Sequence, residues 1–160
     1  DRTVSALCFS HDDSMLAAGS WNGKISIFHL ATDRTFELHG HYGAISALQF
    51  KADGASIVSA SRDGTIRTWD IETGRVQQVF SPSGGTPVVD VQISGDGLLV
   101  AGVSAGRTVS VWNTASGKLV FTKKTPAEPI GVAFRSDNRI LAVACTDHSV
   151  QFITAFFDLN

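Results

Sequence analysis

The chain has 160 residues, 43% hydrophobic and 18% charged, a profile that excludes a disordered segment and fits a soluble globular domain with a sizeable core. Lys and Arg number 13 against 15 Asp and Glu, so the formal net charge of −2 offers no basic excess for duplex nucleic acid or anionic lipid. No apolar stretch approaches the ~18 residues of a membrane-spanning helix, and Cys8 and Cys145 sit inside apolar runs with neither metal-ligand nor CxxC spacing.

Fifteen glycines, abundant Val, Ile, Ser and Thr, and few helix-forming runs point to short strands joined by tight turns. In chain order, a first unit reads as strands over Val4 to Phe9, Leu16 to Ala18, Lys24 to Phe28 and Thr35 to Leu38, with Asn22-Gly23 as a turn. The second runs Ile45 to Phe50, Ser56 to Ala60, Thr65 to Trp69 and Val76 to Phe80, punctuated by Asp53-Gly54 and Asp63-Gly64. After a loop from Ser81 to Pro87, the third runs Val88 to Ile93, Leu98 to Gly102, Thr108 to Trp112 and Leu119 to Thr122. The fourth has Gly131 to Phe134, Ile140 to Ala144 and Ser149 to Thr154, with little chain left for a fourth strand.

A repeat underlies these units. Phe9, Phe50, Ile93 and Phe134 close the first strands at steps of 41, 43 and 41, and Phe28, Trp69, Trp112 and Ile153 keep the same steps in the third. Four-stranded antiparallel units at this period are propeller blades. The expected fold is all-β, a β-propeller arc of four four-stranded antiparallel blades, the last lacking most of its outer strand. The blades fall at about 3–38, 44–80, 87–122 and 129–160 of one partial propeller spanning 1–160.

With Gly40-His41, Asp63-Gly64 and Trp69-Asp70 in place, the sequence resembles the WD-repeat family, over nearly the whole chain and most specifically in the second unit. The resemblance implies a structural tetrad of His41, Ser59, Asp63 and Trp69, in which indole, hydroxyl, imidazole and carboxylate form a hydrogen-bonded chain. A Ser-His-Asp hydrolase is the rival reading, disfavoured because Ser59 lies inside a strand, Trp69 competes for its hydroxyl and no nucleophile elbow is present. The other units depart from the pattern: the first has Ala18, Asn22 and Phe28, the third Gly84, Gly102, Gly106 and Trp112, the fourth Thr125, Val143, Asp147 and Ile153.

The family docks partners on the face formed by loops before the first strands and between the second and third. On that face the candidate partner-binding residues are Trp21, Tyr42 and Arg62: an aromatic at a turn tip, an aromatic beside Gly40-His41, and a cation for a carboxylate or phosphate. The resemblance implies a non-catalytic protein-interaction scaffold within a multiprotein assembly; the alternative is a reader of a short, plain or modified, peptide motif, and a propeller enzyme ranks third. No catalytic, cofactor-binding or metal-binding residues are assigned, and no cofactor is expected. Other proteins are the expected partners, with no membrane and nucleic acid disfavoured. Four blades are fewer than the family's usual ring, so the arc is expected to be half of a larger one, completed by an unseen segment or by a second copy. Asp1 to Thr3 is too short to clasp it. The absence of a signal-like start and of disulfide-type cysteine usage suggests an intracellular protein, cytoplasmic or nuclear.

Overall fold

A computed structural model describes residues 3–82 and 84–154. Its regular structure is entirely β. The first sheet holds β1 (Val4–Phe9), β2 (Met15–Ser20), β3 (Ile25–His29) and β4 (Thr35–Leu38); the second β5 (Ile45–Phe50), β6 (Ser56–Ser61), β7 (Ile66–Asp70) and β8 (Val76–Phe80). The third comprises β9 (Val88–Ile93), β10 (Leu99–Ser104), β11 (Thr108–Asn113) and β12 (Leu119–Lys124), and the fourth β13 (Pro129–Phe134), β14 (Leu141–Cys145) and β15 (Val150–Ile153). Each sheet is an antiparallel meander in chain order, so the architecture is four propeller blades, the last with three strands. The expected remnant of a fourth strand and the expectation about Asp1 and Arg2 lie outside the described residues.

Strand ends move by at most two positions from the sequence reading, for local reasons. The third strand of the first blade starts at Ile25 rather than Lys24, because the Lys24 amide is taken by the Asn22 side chain at 3.1 Å. β13 begins at Pro129, two residues early; it pairs only with β14, so its missing N–H interrupts no second ladder.

Turn chemistry repeats with the blades. Between the first two strands Asp12, Asp53, Asp96 and Asp137 each accept the N–H two residues on, at 2.9 to 3.1 Å. The following residue must then enter the left-handed region: Gly54 and Gly97 do so freely (φ 66° and 74°), while Asp13 and Asn138 adopt it at φ 56° and 59°. The Ser10 and Ser14 hydroxyls and the Ser14 amide hold Asp12 down to about 2.

In the second and third blades the middle strands are buried on both faces, and every residue of β6 is buried. Three apolar layers form, each between two neighbouring blades. Ile25, Ile27 and Leu38 meet Phe50, Ile57 and Trp69; Val58, Ile66 and Phe80 meet Val91, Ile93 and Trp112; Val103, Val109 and Val111 meet Val132, Leu141 and Ile153.

Innermost strands β1, β5, β9 and β13 pack in succession, and β1 and β13 stand at the two ends without comparable packing on each other. Each carries a bulge, at Ser5, Ser46, Val89 and Ile130. Here polar stitches join the blades: the Ser5 and Ser46 hydroxyls donate to Ile45 O (2.6 Å) and Val88 O (2.8 Å), and Gln49 Oε1 accepts from Ile93 N (2.7 Å). Asp90 Oδ2 accepts from Val132 N at 2.9 Å, and burial pushes its carboxyl up against the opposing effect of the Val132 and Val91 amides. The same burial pushes the Cys8 thiol up to about 11, leaving it protonated.

Candidate docking face and its bracing

The loop entering β5, the middle of β6, the β6–β7 turn and the end of β7 converge on one buried polar chain. Trp69 Nε1 donates to Ser59 Oγ at 2.8 Å; Ser59 Oγ lies 2.8 Å from His41 Nε2; His41 Nδ1 lies 2.7 Å from Asp63 Oδ2. Ser59 and Trp69 are fully buried, and the imidazole is sealed from solvent. Because Ser59 already accepts from the indole, its own hydrogen points at Nε2, so Nδ1 carries the imidazole hydrogen and donates to Asp63. Burial holds His41 below its ordinary value, opposed by Asp63, so the contact is a hydrogen bond of a neutral imidazole rather than an ion pair. The Asp63 carboxyl is also buried, which alone would raise it. Donors from Thr65, His41 and the Tyr42 amide together carry it below the usual carboxylate range.

This arrangement has no reactive face. The Ser59 hydroxyl is fully spent and inaccessible, so the three residue types of a hydrolase triad act here as a brace. No group of three or more His, Cys, Asp or Glu side chains suited to a metal ion occurs among the described residues. Nor, among them, is any helix long and apolar enough to cross a membrane.

The brace positions the rim. Asp63 Oδ2 accepts the Tyr42 amide at 3.1 Å, Ala44 O accepts the Arg62 amide at 2.9 Å, and the Ser61 hydroxyl donates to Gly43 O at 2.9 Å. These bonds clamp the loop before β5 onto the β6–β7 turn, leaving no room for a side chain at Gly43, whose Cβ would meet Asp63 N at 2.6 Å. The β2–β3 turn docks on the same loop. There Trp21, 53% exposed, lies under the Arg62 guanidinium, whose carbon stands 5.8 Å from the ring centroid.

Trp21 and Arg62 border a cavity of about 580 Å³ at the inner ends of the blades, with Pro87 and Val89 on its apolar wall and Glu128 on the fourth-blade side. Ala105, at the position equivalent to Arg62, also reaches it. Tyr42, 92% exposed, is held at the rim by its backbone but does not line the cavity. Two of the three candidate residues are thus brought together and the third stands beside them.

Elsewhere the tetrad positions are filled differently. In the third blade Ile66 Cδ1 occupies the space over Gly102, 2.2 Å from where a Cβ would stand, and Trp112 packs on Phe80 at 5.7 Å. Among the described residues no side chain accepts from the Trp112 indole, and apolar packing takes the place of the brace. The stitching residues Ser5, Ser46, Gln49 and Asp90 were missed in the sequence. A third residue series at steps of 41, 43 and 41, from Ser5 through Ser46 and Val89 to Ile130, was available to mark the inner strands.

The family profile described as "WD domain, G-beta repeat" matches residues 1–29, 32–70 and 74–113. Each full match is offset from the sheets by one strand: 32–70 takes in β4 and then β5 to β7. Periodic tryptophan protein 2 of Arabidopsis thaliana is 27% identical over 158 residues, covering 96% of this chain and 17% of that protein. The guanine nucleotide-binding protein subunit beta of the same plant is 41% identical over 91 residues, 54% of this chain and 24% of that protein. Target of rapamycin complex subunit wat1 of Schizosaccharomyces pombe is 30% identical over 149 residues, 88% of this chain and 46% of that protein. The chain therefore spans less than half the length of each of these relatives. Among solved structures, the computationally designed Ika4 protein superposes with a TM-score of 0.83 at 25% identity, covering 96% of this chain and 92% of that one.

Proposed function

The chain belongs to the WD-repeat family, and on that premise we propose that it is a non-catalytic scaffold that docks a partner protein on the rim carrying Trp21, Arg62 and Tyr42. The observation that carries this reading is the Arg62 guanidinium. Among the described residues it has no carboxylate partner, and it rests on a half-exposed indole at the mouth of a cavity. Its backbone is clamped by the tetrad, so the pair is presented in one geometry, which lowers the ordering cost of an encounter. Trp and Arg are the residue types that most often dominate interface energetics. The relatives include a subunit of a multiprotein complex, which supports the general role.

A second reading is favoured by the cavity itself: a short extended peptide places a carboxylate or phosphate on Arg62 and an apolar side chain against Pro87 and Val89. Two free cysteines and no disulfide suit a reducing compartment, cytoplasm or nucleus.

One experiment tests both. Partner retention on the immobilised chain is compared between the unaltered protein, a Trp21→Ala and Arg62→Ala double variant, and Val79→Ala on the outer edge of the second blade. Loss of partner in the double variant alone is expected, and equal retention by all three refutes the rim. Fluorescence anisotropy with matched peptides, with and without phosphate, then distinguishes the readings, since a motif reader loses phosphate dependence when Arg62 is replaced.

A further inference from the structure

The three junctions between blades are not filled alike. Where the first blade meets the second, Ile27 and Phe36, paired across β3 and β4, join or pack against the apolar layer, as does Ile71 beyond β7. Where the third meets the fourth, the equivalent pair is Val111 and Phe121, again in or against the apolar layer. At the middle junction the pair is Thr68 and Gln78, and Thr114 stands one repeat on from Ile71. Three apolar positions thus become polar, and a cleft of about 410 Å³ opens beside them. The second and third blades each have a further blade on their other side, so this junction is internal to the arc.

The cleft is lined by hydrogen-bonding groups that the fold leaves unused. Thr68 is 2% exposed, yet among the described residues its hydroxyl has no hydrogen-bond partner, nor has the Gln78 carboxamide. A bulge in β8, absent from β4, adds the carboxamide of Gln77. Polar groups held out of water without a partner cost stability, and the chain's own alternative at the two neighbouring junctions is apolar. Thr114, by contrast, belongs to the frame. Its hydroxyl donates to Gly97 O at 2.7 Å and its amide to Leu98 O at 2.9 Å, tying the β11–β12 turn to the β9–β10 turn and fixing the third-blade wall. On that wall Leu98 is 57% exposed. Lys51 is the one charged side chain of the lining, and its ion-pair partner among the described residues, Asp53, stands 3.7 Å away, beyond hydrogen-bond distance.

We propose that this cleft is a second docking site whose occupant is an extended segment of a partner protein, carrying an acidic side chain for Lys51 and an apolar one for Leu98. Charge complementarity selects the acid, since the lining holds an ammonium and no carboxylate. A carboxamide offers a donor and an acceptor in one plane, and so matches the N–H and C=O of an extended backbone; Gln77, Gln78 and the Thr68 hydroxyl supply such groups side by side. The volume lies within the roughly 300–1,000 Å³ of ligand sites, room for a few residues rather than a folded domain. Lys51 follows β5 whereas the rim of Trp21 and Arg62 precedes it, so the cleft lies at the opposite ends of the strands and the inference is independent of the rim.

Titration of the isotope-labelled chain with acetylated, amidated hexapeptides tests it. Each probe holds one leucine and one glutamate at varied spacing among serine and glycine, and a matched series has glutamine for the glutamate. The glutamate series is expected to shift the side-chain amide signals of Gln77 and Gln78 and the methyl signals of Leu98. Affinity is expected to be about tenfold weaker for the glutamine series and for Lys51→Gln, the loss of one charge-assisted bond. Lys51 lies outside the apolar layers, so this variant reads the charge with the fold kept. The Thr68→Ile and Gln78→Phe double variant installs the filling of the first junction; it is expected to lose the shifts while its melting temperature rises. Trp21→Ala and Arg62→Ala together are expected to leave the shifts in place. Glutamate probes that leave Gln77 and Gln78 unmoved up to millimolar concentration, or glutamine probes that bind as well, overturn the proposal. A double variant that melts below the unaltered chain overturns it too, because the polar lining is then part of the fold rather than spare to it.

Discussion

Replacing His41 with alanine removes the central link of the buried chain, and the geometry sets the size of the effect. Two hydrogen bonds are lost, to Ser59 Oγ at 2.8 Å and Asp63 Oδ2 at 2.7 Å, along with an edge contact to the Trp69 ring at 5.7 Å. The Ser59 hydroxyl is left as a fully buried donor without an acceptor, whereas Asp63 retains Thr65 and the Tyr42 amide. An unsatisfied buried group costs about 1–3 kcal/mol and each lost bond roughly 0.5–1.5 kcal/mol, so a loss of ~3 kcal/mol is expected. At about 2–4 °C per kcal/mol for a chain of this size, the melting temperature falls by roughly 6–12 °C. The pH profile carries a second signature. Burial depresses the folded His41 value, so its stabilisation is present above the unfolded value of ~6.5 and is lost as pH falls below it. Between about pH 7 and 5 the unaltered chain should therefore lose stability that His41→Ala does not lose. Scanning calorimetry of both proteins, with His39→Ala as a solvent-exposed control, measures the effect. A shift under about 2 °C, or parallel pH profiles, refutes the bracing role.

Three further outcomes are expected. Gly19→Ala places a methyl 2.5 Å from Ile45 Cγ2 and 2.6 Å from its Cβ, atoms that cannot yield without moving β5; a loss of about 1–3 kcal/mol in urea unfolding follows, and an unchanged midpoint contradicts that contact. Asp90 is raised by burial, so its contribution is favourable below the unfolded carboxylate value and is lost as pH rises through the folded one. Asp90→Asn should accordingly compare better with the unaltered chain at pH 7 than at pH 4, and a constant difference speaks against a buried ionised Asp90. The Trp21 and Arg62 substitutions should abolish partner retention with little change in melting temperature, because among the described residues the Arg62 side chain has no hydrogen-bond or carboxylate partner and rests on the Trp21 ring.

The sequence by itself determined the blade: which runs are strands, where the turns fall and how often the unit recurs. All of that is local. An Asx turn needs an Asp and the amide two residues on, and a half-buried strand needs alternation along one segment. The four tetrad residues were also legible as a set, because Gly-His and Trp-Asp bracket one repeat at a fixed spacing. What lies between blades was decided only by tertiary structure, since it joins segments some forty residues apart. Gln49 meets the Ile93 amide, Asp90 meets Val132, and Ile66 fills the space over Gly102 in place of a serine. None of these residues is unusual in its own strand. The docking rim shows the same division. Trp21 and Arg62 each read as candidates in separate turns, but their stacking depends on the first blade's turn seating on the loop that His41 and Asp63 brace. Tyr42, two residues beyond Gly40, stands exposed at the rim outside the cavity lining, and its amide, not its ring, is what the brace holds.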